Sequence, residues 1–340
     1  MFTLEIPTQI SFSSYVSLLT ICSLTFIGIT LKAPIARIHC ITLIIISLIF
    51  IFIPLKYGRQ ISCSYNLPIP VTVFGIFYKM LIWIKKYKQN IKDRPPFYWT
   101  LFYWRKNYNL SNKKLKIIAK NNIEQKLKPY LIHRLLKLNI IMIFHELFTY
   151  FLVTFPPSII PDRPYPLRII DYLLLNKKSF ITNPYTLFYC YVYAGFLVHN
   201  MNYVFNKILV MGTLILWIIQ NKFPSNDSII NSKVSIIKNY LISLLFDTPP
   251  LFNQPYFSTS PSDLWGRRWH QLLRECFIEI GYLPISSLFI NNNKTLGHIM
   301  GLMGSFISSG ILHEYIIISL FGKITGEHFT FFVFQGIMPF

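Results

Sequence analysis

Apolar residues run along this chain in long, nearly unbroken stretches and do not mark out a single buried face. At about 18 residues or more, a helical stretch crosses a hydrocarbon core of roughly 30 Å. The stretches that reach or approach this length are Phe12 to Leu31, Ile38 to Leu55, Leu138 to Ile160, Tyr203 to Ile219 and Leu296 to Phe321. Weaker stretches are Pro70 to Ile84, Tyr185 to Val198, Val234 to Phe246 and Leu272 to Ile290. The last of these is interrupted by Gly281 and Pro284, which membrane helices tolerate better than soluble ones. The pattern predicts an all-α, polytopic integral membrane protein with about eight to ten transmembrane helices.

Composition agrees with this reading. The chain is 53% hydrophobic, 17% aromatic and 14% charged, with a mean hydropathy of +0.43, outside the range of ordinary soluble domains. A net charge of +20 would point to nucleic acid in a soluble protein, so the placement of the charge has to decide. Nearly half of the 33 Lys and Arg residues lie between Lys85 and Lys137, opposed only by Asp93 and Glu124. Such an excess is expected of a cytoplasmic loop beside anionic lipid headgroups, and the aromatic run from Phe97 to Trp104 prefers the same interface. The expected partners are therefore membrane lipids, with no nucleic acid.

If 85–137 is cytoplasmic, parity places the Lys32 to Arg37 turn on the same side and the N-terminus in the lumen. The first apolar stretch has no basic residue before Lys32 and no small-residue cleavage site, so it is not read as a removable signal peptide. Cys22, Cys40, Cys63, Cys190 and Cys276 show neither metal nor disulfide spacing and read as packing residues. There is no repeat of 20 to 50 residues, and residues 1–340 are taken as one membrane domain. The chain stops at Phe340 inside an apolar stretch that begins near Phe329, so a final helix cut short is expected.

Several reaction classes lack their residues. His145-Glu146 and His313-Glu314 both begin like a zinc-protease helix, but Thr149 and Ile317 stand where the second histidine would be. No clustered histidine set, paired Asp-rich motif, phosphate loop or Gly-x-Ser-x-Gly elbow is present, and no metal or tightly bound cofactor is expected.

An ionisable pair inside a long apolar helix remains. Gly297, Gly301, Ser305, Ser309 and His313 recur every four residues and share one slowly turning face. Small residues there admit either another helix or a slender substrate, and His313 ends the track. The alternative is a helix-packing groove with a hydrogen-bonded histidine. The cost of an ionisable group inside a membrane favours function. A neutral imidazole is suited to taking the proton of an alcohol as its oxygen attacks a thioester.

A second cluster is Asp263-Leu264-Trp265-Gly266-Arg267-Arg268-Trp269-His270-Gln271. Arg267 and Arg268 can grip phosphates bidentately, and Trp265 and Trp269 offer faces to an adenine or a pantetheine arm. Tryptophan and arginine also anchor proteins at membrane surfaces, and composition leaves both readings open. His145 reads more simply as an interhelical contact. His298, about 22 Å along the helix from His313, is too far away to share its chemistry.

These residues carry a resemblance. The run Pro255-Tyr256-Phe257-Ser258-Thr259-Ser260, then Asp263 to Gln271, then Ser309-Gly310-Ile311-Leu312-His313-Glu314, is similar to the wax synthase-like branch of the membrane-bound O-acyltransferase superfamily. The order and separation of the blocks match as well, over roughly the last quarter of the chain. Pro261 and Leu264 depart from the pattern.

The resemblance implies a polytopic enzyme that uses acyl-CoA, with 246–340 as its catalytic region, His313 as the intramembrane histidine and His270 as the preceding loop residue. On that basis His313 is the general base, and His270 positions or polarises the reacting groups. Trp265, Arg267, Arg268 and Trp269 shape the acyl-CoA entrance. The donor is acyl-CoA as co-substrate and the acceptor a hydrophobic alcohol, giving a wax ester, a steryl ester or an acylated secondary metabolite. The expected location is the endoplasmic reticulum. The rivals are a proton-coupled transporter or channel using His313, Glu314, His145 and Glu146, and a catalytically dead scaffold.

Overall fold

The computed structural model describes residues 10–31, 37–58, 68–87, 97, 113–157, 184–222, 234, 237–238, 241–242, 244–246, 250–291 and 293–337. Every extended regular element among them is helical. The helices are α1 (Phe12–Thr30), α2 (Arg37–Tyr57), α3 (Pro68–Tyr87), α4 (Lys113–Thr154) and α5 (Pro184–Lys222). Next comes α6, a helical run made of Arg274–Phe277, the π-wound Ile278–Tyr282 and Leu283–Phe289. The run ends with α7 (Lys294–Phe321) and α8 (Glu327–Ile337).

Among the described residues, five segments are long and apolar enough to cross a membrane: Phe12–Thr30, His39–Tyr57, Leu127–Thr154, Pro184–Lys222 and Lys294–Phe321. The chain is an all-α, multi-pass integral membrane protein. Two of the stretches read as separate spans, Tyr185 to Val198 and Tyr203 to Ile219, form one continuous helix of 39 residues. The polar run between them contains neither Gly nor Pro. Within it His199 Nε2 lies 2.8 Å from Ile141 O, and just beyond it Asn206 donates to Asn202 O at 2.7 Å. Polarity alone does not stop a helix. At Thr154 the apolar stretch outlasts the helix, because Pro156 and Pro157 have no N–H to continue it. The second half of the basic stretch is helical and opens α4, whereas most of 88–112 lies outside the described residues. Much of Val234 to Phe246 lies outside them too.

Three packed groups organise the helices. Phe26, Leu43, Phe50, Val73, Met80, Trp83, Ile84 and Phe97 join α1 to α2 and α3. Leu216, Leu127, Leu241 and Leu245 join α4 to α5. The third group places the site: Phe74 and Tyr78 from α3 meet Cys276 of α6 and Leu312, Tyr315 and Ile316 of α7. Two phenols fix α7 from both sides, Tyr78 Oη donating to Ser308 O (3.0 Å) and Tyr315 Oη to Ile51 O (3.0 Å). Half of the membrane-crossing window of α7 is buried inside the protein.

Association between membrane helices rests on close packing and internal hydrogen bonds, because lipid tails are as apolar as leucine. On the α6–α7 face, small residues supply that closeness. A methyl group added at Gly297 would strike the backbone of Ile290, one at Gly301 the ring of Tyr282, and one at Gly304 the backbone of Gly281. Ser305 donates to Phe277 O (3.3 Å). The track of small residues on α7 is therefore a groove for another helix, α6, up to Ser305. Of the two occupants considered from sequence, it holds the helix.

Candidate functional site

Asn293 begins α7 by accepting the Leu296 N–H at 3.0 Å, and Gly322 ends it in the left-handed region at φ 65°. The turn after Gly322 sends α8 back along α7, where Phe329 lies against Gly310 and Phe306 against Gly336. Glu314 holds this return: its Oε1 accepts the N–H groups of Thr325 (2.7 Å) and Gly326 (2.8 Å) at the entry to α8. A carboxylate at the start of a helix meets orphan N–H groups and the positive end of the helix dipole. Gly326, at φ 69°, has the backbone freedom that this corner requires.

The docking of α8 builds a wall against His313. His328 and Phe332, one turn apart on α8, present their rings to the imidazole. Phe332 is stacked at 4.4 Å between ring centroids, with an interplanar angle of 20°. His328 lies at 6.3 Å, almost parallel at 8°. The Nδ1 atom of His328 is buried and has no hydrogen-bond partner among the described residues. His328 was missed in the sequence. It belongs to a different helix from His313, and the only signal was a histidine just after the glycine-bounded turn.

The loop reaches the same wall through Trp265, whose ring meets Phe332 at 5.7 Å, Phe306 at 5.9 Å and Trp269 at 5.7 Å. Its indole N–H donates to Gln335 Oε1 at 3.0 Å. Trp269 packs on Phe252 at 5.1 Å, and Phe252 meets the ring of His270 at 6.0 Å. The loop thus forms an aromatic chain from His270 to the Phe332 side of His313.

Two backbone bonds bracket His270: Asn253 N–H donates to Arg268 O (2.8 Å) and Gln271 N–H to Leu251 O (3.0 Å). Between them His270 adopts φ 37°, a left-handed conformation that costs a residue with a Cβ about 1–3 kcal/mol and persists only where its surroundings impose it. Loss of hydration pushes the imidazole down to a pKa of about 4, so it is neutral at physiological pH.

The adjacent arginines part company. Arg268 donates its Nε–H to Asp263 Oδ2 at 2.6 Å and a terminal N–H to Gln254 O at 3.3 Å. Ser260 begins the same turn by accepting the Asp263 N–H at 3.0 Å. Hydrogen bonding from Arg268 holds the Asp263 carboxyl below its ordinary range. Arg267 is exposed. The structure therefore brings His313, His270, Trp265 and Trp269 into one aromatic cluster. Arg268 staples the loop and Arg267 stays outside the cluster. Among the described residues, no three His, Cys, Asp or Glu side chains are grouped to hold a metal ion.

Residues 248–334, which contain the whole cluster, match the sequence model of the membrane bound O-acyl transferase family. Three relatives, all from Arabidopsis thaliana, illustrate the similarity. A putative long-chain-alcohol O-fatty-acyltransferase 10 is 30% identical over 135 residues, 38% of this chain and 39% of the relative. A probable long-chain-alcohol O-fatty-acyltransferase 3 is 33% identical over 98 residues, 28% of this chain and 29% of the relative. An acyl-CoA–sterol O-acyltransferase 1 is 39% identical over 67 residues, 20% of this chain and 19% of the relative. The matched part spans less than two fifths of each relative's length. No solved structure matches the chain.

Proposed function

From a C-terminal region that belongs to the wax synthase-like branch of the membrane bound O-acyl transferase family, we propose that this protein transfers an acyl group from acyl-CoA to the hydroxyl of a hydrophobic alcohol within the membrane. The observation that carries the reading is His313, an imidazole in the second half of a membrane helix, stacked on Phe332 and beside His328, and joined through the aromatic cluster to a second imidazole, His270, which is neutral.

In this reading the alcohol oxygen forms its bond to the thioester carbon as His313 takes the hydroxyl proton. The tetrahedral intermediate then collapses, the C–S bond breaks, and the thiolate leaves with the proton that His313 returns. No covalent enzyme intermediate, metal or other cofactor takes part. His270 polarises the reacting groups. Trp265 and Trp269 wall the path of the acyl-CoA, Arg268 holds the loop in shape, and Arg267 offers a guanidinium to the phosphates of the donor. Long-chain alcohols and sterols are the acceptors named for the relatives, and both classes belong in the first substrate panel. The basic stretch 85–137 faces the cytoplasm, and the protein resides in the endoplasmic reticulum. A transporter would leave the Trp/Arg/His loop without a role.

The test is to incubate membranes containing the protein with radiolabelled palmitoyl-CoA and either hexadecanol or a sterol. Labelled ester is expected from the wild type and absent with His313→Ala at equal expression. If no alcohol is esterified by the wild type, the reading falls.

A further inference from the structure

Acyl transfer, the reading on which this inference rests, moves negative charge onto the thioester carbonyl oxygen. That oxyanion needs a hydrogen-bond donor fixed before the reaction begins. Besides His270, which polarises the reacting groups from the loop, few groups around His313 can serve. Phe306 and Phe332 are apolar, and the indole N–H of Trp265 is committed to Gln335. Glu314 accepts two N–H groups at Oε1, its buried Oε2 has no partner among the described residues, and as a carboxylate it would repel an oxyanion. His328 differs from all of these. Among the described residues its Nδ1 is buried and bonded to nothing, as is that of His145, but His328 is the one that faces His313, and since buried polar atoms are nearly always paired its partner is expected from a ligand there.

The separation suits this role. In the tetrahedral intermediate the base is one hydrogen bond from the attacking oxygen, and the oxyanion donor is one hydrogen bond from the other oxygen on the same carbon. The two imidazoles lie 6.3 Å apart between centroids and nearly parallel, a separation of the size that arrangement needs. The ring of His328 is held by α8, which Glu314 fixes at its entry and Trp265 of the loop braces through Gln335, so the donor is set in place before the substrate arrives.

The geometry points to His328 as an oxyanion donor of the acyl-transfer site, its Nδ1–H receiving the thioester carbonyl oxygen as the alcohol attacks. The alcohol proton goes to His313 and the carbonyl π pair becomes the oxyanion held by His328. On collapse that pair returns to the carbonyl, the C–S bond breaks, and His313 protonates the departing thiolate.

His328→Phe keeps a flat ring against His313 and removes the donor, and His328→Asn shortens the side chain but keeps an N–H. Initial rates with palmitoyl-CoA and hexadecanol, or with the sterol if that is the alcohol esterified, give kcat and both KM values in membranes of matched protein content. Loss of one oxyanion donor costs on the order of 10²- to 10³-fold in kcat, so a fall of that size is expected for His328→Phe. Both KM values should stay within about two-fold, because an oxyanion contact exists only in the transition state. His328→Asn should recover part of the loss, which shows that the phenylalanine variant did not fail through misfolding. A kcat for His328→Phe near the wild-type value overturns the assignment and leaves His328 as a stacking partner. A rise confined to the KM for the alcohol also overturns it, giving His328 to the acceptor hydroxyl. Either result requires ester from the wild type, whereas absence of wild-type ester with every alcohol overturns the acyl-transfer reading and this assignment with it.

Discussion

The chain writes His-Glu twice in the middle of apolar helices, at His145-Glu146 in α4 and at His313-Glu314 in α7, and the two copies meet different surroundings. Around His145 the neighbours all come from α5: Tyr203 stacked at 4.7 Å, Phe196 at 5.4 Å and His199 at 6.3 Å. Glu146 is exposed, on a helix that also exposes Ile143, Leu147, Tyr150 and Val153. In α7 the glutamate turns inward and clasps the next helix, and the histidine faces rings from that helix, which also meet the loop. The dipeptide is therefore not the signal. Each histidine meets rings from one neighbouring helix, and the copy in α7 is the candidate base because those rings in turn join Trp265 and the loop of His270.

The comparison breaks first at the histidines. His313→Gln retains hydrogen bonding and much of the volume but cannot accept the proton, so ester formation should fall by about 10²- to 10⁴-fold. His145→Gln should stay within about two-fold of wild type. Equal losses in labelled-ester assays would erase the distinction between the two helices.

The glutamates give the next largest contrast. Hydrogen bonds to a charged acceptor are worth about 1.5–3 kcal/mol each, so Glu314→Ala should lower both the thermal midpoint of the detergent-solubilised protein and its ester formation. Glu314→Gln keeps an oxygen for the Thr325 and Gly326 N–H groups and should recover most of the midpoint. Glu146→Ala should change neither quantity, and a matching loss there would show that α4 is held by its glutamate as well.

A smaller effect separates the two arginines of the loop. Arg267→Ala should raise the KM for acyl-CoA by up to about five-fold, the range of an exposed ion pair worth roughly 0.2–1 kcal/mol. Arg268→Ala should act instead on the loop's stability, with a thermal shift larger than that of Asp263→Asn, since it removes both the bond to Asp263 and the one to Gln254 O. A larger KM effect at Arg268 than at Arg267 would exchange their roles.

The smallest expected effect concerns pH. The folded pKa of His270, about 4, lies below its ordinary value of 6.5, so between these limits the unfolded chain binds the proton that the folded chain refuses. Stability from this group should be unchanged above that window and should decline as pH falls from about 6.5 toward 4. The thermal midpoint should therefore be lower at pH 5 than at pH 7, and His270→Gln should flatten that difference. An unaltered slope in the variant would assign the acid sensitivity elsewhere.

Much of the fold was legible because a helix of about 18 apolar residues has few fates other than a membrane. This identified α1, α2 and α7 nearly to the residue. Breaks were less legible, because the polar run from His199 to Asn202 looked like one, yet a helix carries such residues when it has no Gly or Pro to end it and a side chain such as His199 meets a carbonyl of its neighbour. His313 and His270 could be singled out by an unusual residue in an apolar helix and by a motif. His328 could not, because nothing local records that the turn at 322–326 folds it against a residue fifteen positions earlier. The division of labour between Arg267 and Arg268 was equally hidden, since it depends on which guanidinium faces Asp263.

The contact between Gly281 and Gly304 also bears on how this protein can change over generations. Each glycine faces the other's backbone, and a backbone oxygen is present whatever the side chain, so neither position can vary alone and neither is relieved by a change at the other. The lipid-facing positions of α4 ask only for an apolar residue and are free to drift among Leu, Ile, Val and Phe. Selection therefore acts unevenly along the sequence, and it is consistent with this that the family match falls on residues 248–334, where two helices meet without room for a methyl group.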